Sequence, residues 1–283
     1  MQIITTIADV RAWRAGLGRL GLVPTMGFLH AGHLSLVQQA KAECGLAAAT
    51  IFVNPTQFGP NEDFKSYPRD PERDLALLRA AGCDLVWLPT VEEIYPPDFN
   101  TYVVVEGVTE TLEGAHRPGH FRGVATIVAK LFNVVQPTRA YFGQKDAQQT
   151  VVIRQMVRDL ALPVEVVIAP TVREPDGLAM SSRNTYLTPE QRTAAPVLYR
   201  ALSRAAQAYA AGERSAEILR HAMLGELASE PLAQVEYASA AHPQNLRELD
   251  VVDRGGVLLS LAVRIGKTRM IDNILLAADN DEK

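Results

Sequence analysis

Leu20-Gly21-Leu22-Val23-Pro24-Thr25-Met26-Gly27-Phe28-Leu29-His30-Ala31-Gly32-His33 is the stretch that decides the fold. Leu20 to Val23 is a short apolar run ended by Pro24, as in a buried strand. From His33 to about Cys44, Leu34, Val37 and Ala40 recur at helical spacing. Strand, glycine-bearing turn and helix in that order open a βα unit. Gly27 and Gly32 let the backbone approach a ligand closely. His30 and His33, three apart at a helix start, project to the same side. Backbone amides and the positive end of the helix dipole favour phosphate there. Each imidazole donates a hydrogen bond to phosphate oxygens and, when protonated, adds charge where negative charge accumulates. The dipole alone opposes protonation whereas bound phosphate favours it, so the charge state depends on the ligand.

The alternation continues outward. Ala47 to Val53 reads as a second apolar strand, halted by Asn54-Pro55. Asp70-Pro71-Glu72 starts a helix, an N-cap followed by proline at the first helical position. Leu75, Leu78 and Ala81 form its stripe, and Gly82 suits its left-handed end. Leu85 to Leu88 is a third strand, about Gly123 to Val135 a helix, and Ala140 to Phe142 another strand. Asp146 caps a helix to Leu160, and Val164 to Ile168 closes the series. Runs without polar alternation mark parallel strands buried on both faces. The fold class is α/β, a doubly wound parallel sheet. Beyond about Thr171 the pattern changes. Thr188-Pro189-Glu190-Gln191 is a capping box opening a helix to about Ala211, followed by Gly212. A second Ala-rich helix covers Ala216 to Ala228, and Gln234 to Ser239 and Val257 to Val263 look like strands of a small mixed sheet. The expected domains are 1–171 and a smaller α+β domain, 172–283.

At 283 residues, against roughly 150 per domain, two domains are the prior. Hydrophobic residues make up 47% and charged residues 21%, which excludes a disordered or fibrous chain. A net charge of −4 argues against nucleic acid as a partner, because neutralising its backbone needs a basic surface. No stretch approaches the roughly 20 apolar residues that span a bilayer, so no membrane is expected. Met1 to Arg14 does not read as a secretion signal. Cys44 and Cys83 are too few for a zinc site and suit a reducing compartment as small buried thiols, so the expected location is cytoplasmic.

Further polar clusters follow strand ends, where ligands of open α/β sheets bind. Gly143-Gln144-Lys145-Asp146, with Gln148 and Gln149 behind it, offers Lys145 as a point charge for phosphate or a leaving group. Asp146 also reads simply as an N-cap. Met180-Ser181-Ser182-Arg183-Asn184, after the Asp176-Gly177 turn, places two hydroxyls and a guanidinium in sequence, suiting a mobile loop that closes over a triphosphate or a plain polar loop. Asn54 and Gln57 in Asn54-Pro55-Thr56-Gln57 can read hydroxyl or carboxylate groups of a small substrate, or Asn54 can cap a turn. Arg117-Pro118-Gly119-His120-Phe121-Arg122 reads equally as cationic donors and as a solvated loop.

Together these segments resemble the pantoate–β-alanine ligase family of the nucleotidylyltransferase superfamily, nearly end to end. The resemblance is carried by Val23-Pro24-Thr25-Met26-Gly27, the His30/His33 pair, Ile51-Phe52-Val53-Asn54-Pro55 with Gln57-Phe58, and Arg117 to Phe121. Met180-Ser181-Ser182-Arg183-Asn184 and Ile271-Asp272-Asn273 complete it in order and spacing. One departure is Gln144, where the family usually has Glu. The superfamily shares its His-x-Gly-His turn with class I aminoacyl-tRNA synthetases.

The resemblance implies a Rossmann-type N-terminal domain binding nucleotide and pantoate, a C-terminal lid domain, a homodimer, and ATP with Mg2+. It implies two half-reactions: (R)-pantoate carboxylate attacks the α-phosphorus of ATP to give pantoyl adenylate and pyrophosphate, then β-alanine's amine displaces AMP. Carried over residue by residue, His33 matches the assigned proton donor, and His30, Lys145 and Arg183 join it as catalytic residues. Met26, Gly27, Phe28, Leu29, His30, Ala31, Gly32 and His33 match ATP contacts. So do Gly143, Gln144, Lys145, Asp146, Val172, Met180, Ser181, Ser182 and Arg183. Gln57 and Gln149 match pantoate contacts, Gln57 also one to β-alanine, and Asn54 is a substrate candidate beside them. No metal ligand from the protein is implied. A nucleotidyltransferase that leaves a nucleotide on its product, and a nucleotide sensor without turnover, are the alternative readings.

Overall fold

The computed structural model describes residues 1–277. Apolar runs fill the central strands, where burial on both faces outweighs the helix preference of their Leu and Ala residues, and these strands order the first unit, Met1–Gln144 with Val152–Pro170. Its elements are β1 (Gln2–Ile4), α1 (Ile7–Arg14), β2 (Leu20–Thr25), α2 (Ala31–Cys44), β3 (Leu46–Ile51), α3 (Pro71–Ala80) and β4 (Leu85–Trp87). The short helices α4 (Val91–Ile94) and α5 (Glu113–His116) precede α6 (His120–Val135), β5 (Arg139–Gly143), α7 (Ala147–Asp159) and β6 (Glu165–Ala169). The sheet order is β1-β4-β3-β2-β5-β6 and every pairing is parallel. Chain order reverses between β2 and β5, whose register pairs Gly21 with Arg139 and Leu22 with Ala140. The carboxyl ends of these two strands therefore form the switch point of a doubly wound, Rossmann-type sheet. Val23, Ala47, Ala49 and Val86 pack under Leu36, Val37 and Ala40 of α2 and Leu78 of α3.

Several elements differ from expectation. β2 runs through Pro24 to Thr25. The Thr25 amide and carbonyl both face β3, taken by Thr50 Oγ1 and the Phe52 amide. By alternation Pro24 faces β5, whose register with β2 ends at Leu22, so the missing N–H is not needed there. α6 begins at His120 rather than Gly123, after Gly119. The three-residue edge strand β1 and helix α1, capped by Thr6, were not anticipated. Cys44 and Cys83 are free thiols, and burial pushes Cys83 up to about 11.

The second unit comprises Lys145–Val151 and the chain from Thr171. The Thr188–Gln191 capping box forms as read, but its helix is two: α8 (Pro189–Ala194) and α9 (Val197–Ala210). Pro196 breaks the run, lacking an N–H and crowding the preceding turn. α10 spans Ala216–Leu227. The small sheet is antiparallel rather than mixed and has a third strand: β7 (Ala233–Ala241), β8 (Val257–Ile265) and β9 (Thr268–Leu276). Leu198, Ala201, Leu202, Leu219 and Met223 pack on Leu259, Leu261 and Val263 to make its core. Among the described residues no helix is long and apolar enough to cross a membrane.

Candidate active site

The turn after β2 is shaped from below. Thr25 Oγ1 donates to the Thr50 carbonyl at 2.6 Å and accepts from the Gly27 amide at 3.2 Å. Gly27 has φ +85°, and a Cβ there would lie 2.9 Å from Ile51 Cγ2 and 3.0 Å from Asp74 Oδ2. Phe28 then adopts φ +50°, a left-handed conformation that a bulky residue keeps only when its surroundings impose it. Asp74, on α3 and 1% exposed, does so: Oδ2 accepts from the Phe28 amide at 2.6 Å and Oδ1 from the Leu29 amide at 2.8 Å. The guanidinium of Arg73 lies 3.7 Å from Asp74 and over the Phe28 ring. Leu29 is buried, whereas Met26, Phe28 and His30 are partly exposed.

His30 caps α2 and His33 occupies its third position, their ring centroids 4.0 Å apart. The His30 amide donates to His33 Nδ1 at 3.3 Å. A neutral His33 therefore carries its proton on Nε2, as a donor. Two imidazoles stand at the positive end of a fourteen-residue helix, suited to phosphate oxygens. Ala31 and Gly32 form the first turn between them.

Beyond β3, the structure brings Gln57 against this turn. Gln57 Nε2 lies 3.2 Å from Met26 Sδ, and its Oε1 accepts from Asn54 Nδ2 at 3.0 Å. Asn54 itself is 1% exposed and saturated. Its Oδ1 receives Thr56 Oγ1 at 2.9 Å and Tyr95 Oη at 2.8 Å, and caps the Thr56 amide, while Nδ2 also reaches the Gly123 carbonyl at 3.1 Å. The capped-turn reading of Asn54 prevails; a buried carboxamide with no spare donor or acceptor cannot read a substrate directly. Gly123 of α6 abuts the Thr56–Gln57 backbone so closely that any Cβ would overlap the Thr56 carbonyl.

His120 completes this support. Its Nδ1 meets the Gln57 carbonyl at 2.8 Å and its Nε2 meets Arg117 Nη1 at 3.1 Å. Arginine only donates, so Nε2 accepts and the proton sits on Nδ1. Burial, aided by the Arg117 charge, lowers His120 to about 4. Arg117 is not a solvated donor: it forms a bidentate pair with Glu62 at 2.7 Å. Arg122 lies over the Tyr102 ring.

β5 ends at Gly143, and Gln144–Asp146 forms a short 3-10 turn before α7. Lys145, Asp146 and Gln149 group with the second unit. Lys145 Nζ lies 3.3 Å from Asp146 Oδ1, and the Lys145 carbonyl accepts from Asn273 Nδ2 at 2.9 Å. Val172 and Met180, far apart in the motif reading, are joined directly by the Met180 amide and Val172 carbonyl at 3.0 Å. They flank a narrow hairpin bridged at Arg173 and Ala179 and turned at Gly177, φ +91°. Ser181 Oγ accepts from the Arg183 amide, capping the 3-10 helix Ser182–Tyr186, and Ser182 is buried. The expected loop is thus a capped helical turn.

Asp74, His120, Arg173 and the Asp272–Asn273 pair were not singled out as functional. An acid in a helix's first turn, here beside Glu72, reads only as a dipole complement, so Asp74 carries no local signal. His120 and Asp272–Asn273 lay inside recognised motifs without an evident task.

The sequence pattern of the pantoate-beta-alanine ligase family matches residues 2–275. The chain is 74% identical over 276 residues to the pantothenate synthetase of Herpetosiphon aurantiacus, covering 98% of this chain and 100% of that one. It resembles the crystal structure of the Thermus thermophilus pantothenate synthetase with TM-score 0.95 and 51% identity, over 98% and 100% of the two chains. The Francisella tularensis pantoate-beta-alanine ligase, crystallised with beta-gamma ATP and beta-alanine, superposes with TM-score 0.80 at 33% identity over 97% of each chain.

Proposed function

The chain belongs to the pantoate–β-alanine ligase family, and from that premise we propose that it joins (R)-pantoate to β-alanine through pantoyl adenylate. A pantoate carboxylate oxygen attacks the α-phosphorus of ATP, and the bond to the β-phosphate oxygen breaks, releasing pyrophosphate. The β-alanine amine then attacks the acyl carbon, the acyl–phosphate bond breaks, AMP leaves and the amine proton is lost. Activation is needed because a free carboxylate is a poor electrophile.

The observation that carries this reading is the braced turn after β2, with paired imidazoles at a helix start and the Gln57 carboxamide against Met26. His33 and His30 stabilise charge developing on the phosphates. Lys145 and Arg183 serve the same triphosphate, with Met26–His33, Gly143–Asp146, Val172 and Met180–Ser182 lining the nucleotide. Gln57 and Gln149 hold pantoate, and Asn54 acts by fixing Gln57. The chain provides positioning and electrostatics rather than a covalent intermediate. Among the described residues no group of three or more His, Cys, Asp or Glu side chains could hold a metal ion. Magnesium would be held on the ATP phosphates, where it would supply charge neutralisation. The enzyme works in the cytoplasm as a homodimer, with the second unit as its lid.

Labelled pyrophosphate is expected to exchange into ATP with pantoate alone. Exchange that strictly requires β-alanine would overturn the free adenylate.

A further inference from the structure

Asp272 and Asn273, on β9, are 3% and 4% exposed, and they touch the Lys145 turn and the Arg173 hairpin, the two segments of the second unit that hold site candidates. Asn273 Nδ2 donates to the Lys145 carbonyl at 2.9 Å. Asp272 accepts from Arg173 at 2.7 and 2.9 Å, and also caps the Asn273 amide at 2.8 Å. Arg173 donates further to the Gly177 carbonyl at 3.0 Å, at the tip of the hairpin leading to Met180–Arg183, and stacks over Tyr199 at 4.1 Å. One buried network thus reaches the Lys145 peptide on one side and the hairpin on the other.

Two physical points give this network a task. A 3-10 turn of three residues has too few internal hydrogen bonds to fix its own geometry, so the Lys145 peptide must be held from outside. A carboxamide buried in a strand costs desolvation that apolar packing would avoid, unless its bond is specific. The charge of Lys145 is also felt at Asp272: burial pushes that carboxyl up, while Arg173 and Lys145 pull it down. We propose that Asn273, held by the Asp272–Arg173 pair, is a positioning residue for Lys145, fixing the peptide from which the ammonium is presented. This rests on the role given to Lys145 in adenylation.

The test uses Asn273→Ala and the isosteric Asn273→Asp, each alone and combined with Lys145→Ala, in pyrophosphate exchange and thermal unfolding. Either Asn273 variant carries the test if the other fails to fold. Each is expected to lower kcat for exchange by up to about 100-fold, as misplacement of a reacting group does, with KM for pantoate nearly unchanged. Combined with Lys145→Ala, neither is expected to slow exchange further, because both changes remove the same contribution. Full-rate Asn273 variants beside a slowed Lys145→Ala overturn this inference alone, as do losses that multiply in the double variants. A full-rate Lys145→Ala overturns the role of Lys145 and this inference with it.

Discussion

The turn after β2 and the Val172–Arg183 segment are held by opposite means. In the first unit, side chains grip backbone: Asp74 takes the Phe28 and Leu29 amides, and a neutral His120 holds the Gln57 carbonyl. In the second, carboxylates meet guanidinium groups: Asp272 with Arg173, and Glu174 and Asp176 with Arg192. A carboxylate that accepts consecutive amides dictates the dihedral angles between them, so Phe28 can be held at φ +50° without being glycine. A side-chain ion pair mainly fixes the distance between segments, although Arg173 also donates to the Gly177 carbonyl. Both turns use a glycine at positive φ, Gly27 at +85° and Gly177 at +91°, but only the first also holds a phenylalanine there.

The largest effects should come from removing one donor of each unit, His33 beside the first turn and Lys145 beside the network that holds the hairpin. His33→Ala and Lys145→Ala are each expected to slow adenylation about 10²–10³-fold, roughly 3–4 kcal/mol, with little change in unfolding midpoint. If only one slows at saturating ATP and pantoate, the two regions do not serve the same step. Below these lies the contrast between braces. Asp74→Asn keeps the shape but leaves one buried amide without an acceptor and weakens the other bond, costing about 2 kcal/mol in urea unfolding. Arg192→Gln breaks pairs whose partners are 28% and 42% exposed, and should cost under about 1 kcal/mol, fading as salt rises. Equal losses for the two would erase the distinction.

What the sequence disclosed follows the same division. β2, its turn and α2 were legible because apolar run, glycine and helical spacing are all local signals. The Thr188 capping box was legible for the same reason, although Pro196 divides the helix it opens. β9 escaped notice because Asp272 and Asn273 interrupt its apolar pattern, and partners far away in sequence, Arg173 and Lys145, help the sheet to tolerate them. Asp74 escaped because its two amides lie on another element altogether. The chemistry-bearing residues announce themselves by type and spacing, whereas the residues that hold them depend on contacts that form only in the fold.

A further difference separates the braces by pH. His120 is held neutral, lowered from 6.5 to about 4 by burial and by Arg117. Between those values the unfolded chain binds a proton that the folded chain refuses, so stability falls as pH drops through that window and rises again with pH. From about pH 7 to about pH 5.5 the loss should be on the order of 1 kcal/mol. His120→Asn replaces Nδ1 with an amide donor at a similar position and removes the titration. Its urea-unfolding free energy should lose this component of the slope, while Asp74→Asn retains it. A wild-type slope that survives His120→Asn would mean that another group titrates there, and that the Gln57 carbonyl is not held by a proton confined to one ring nitrogen.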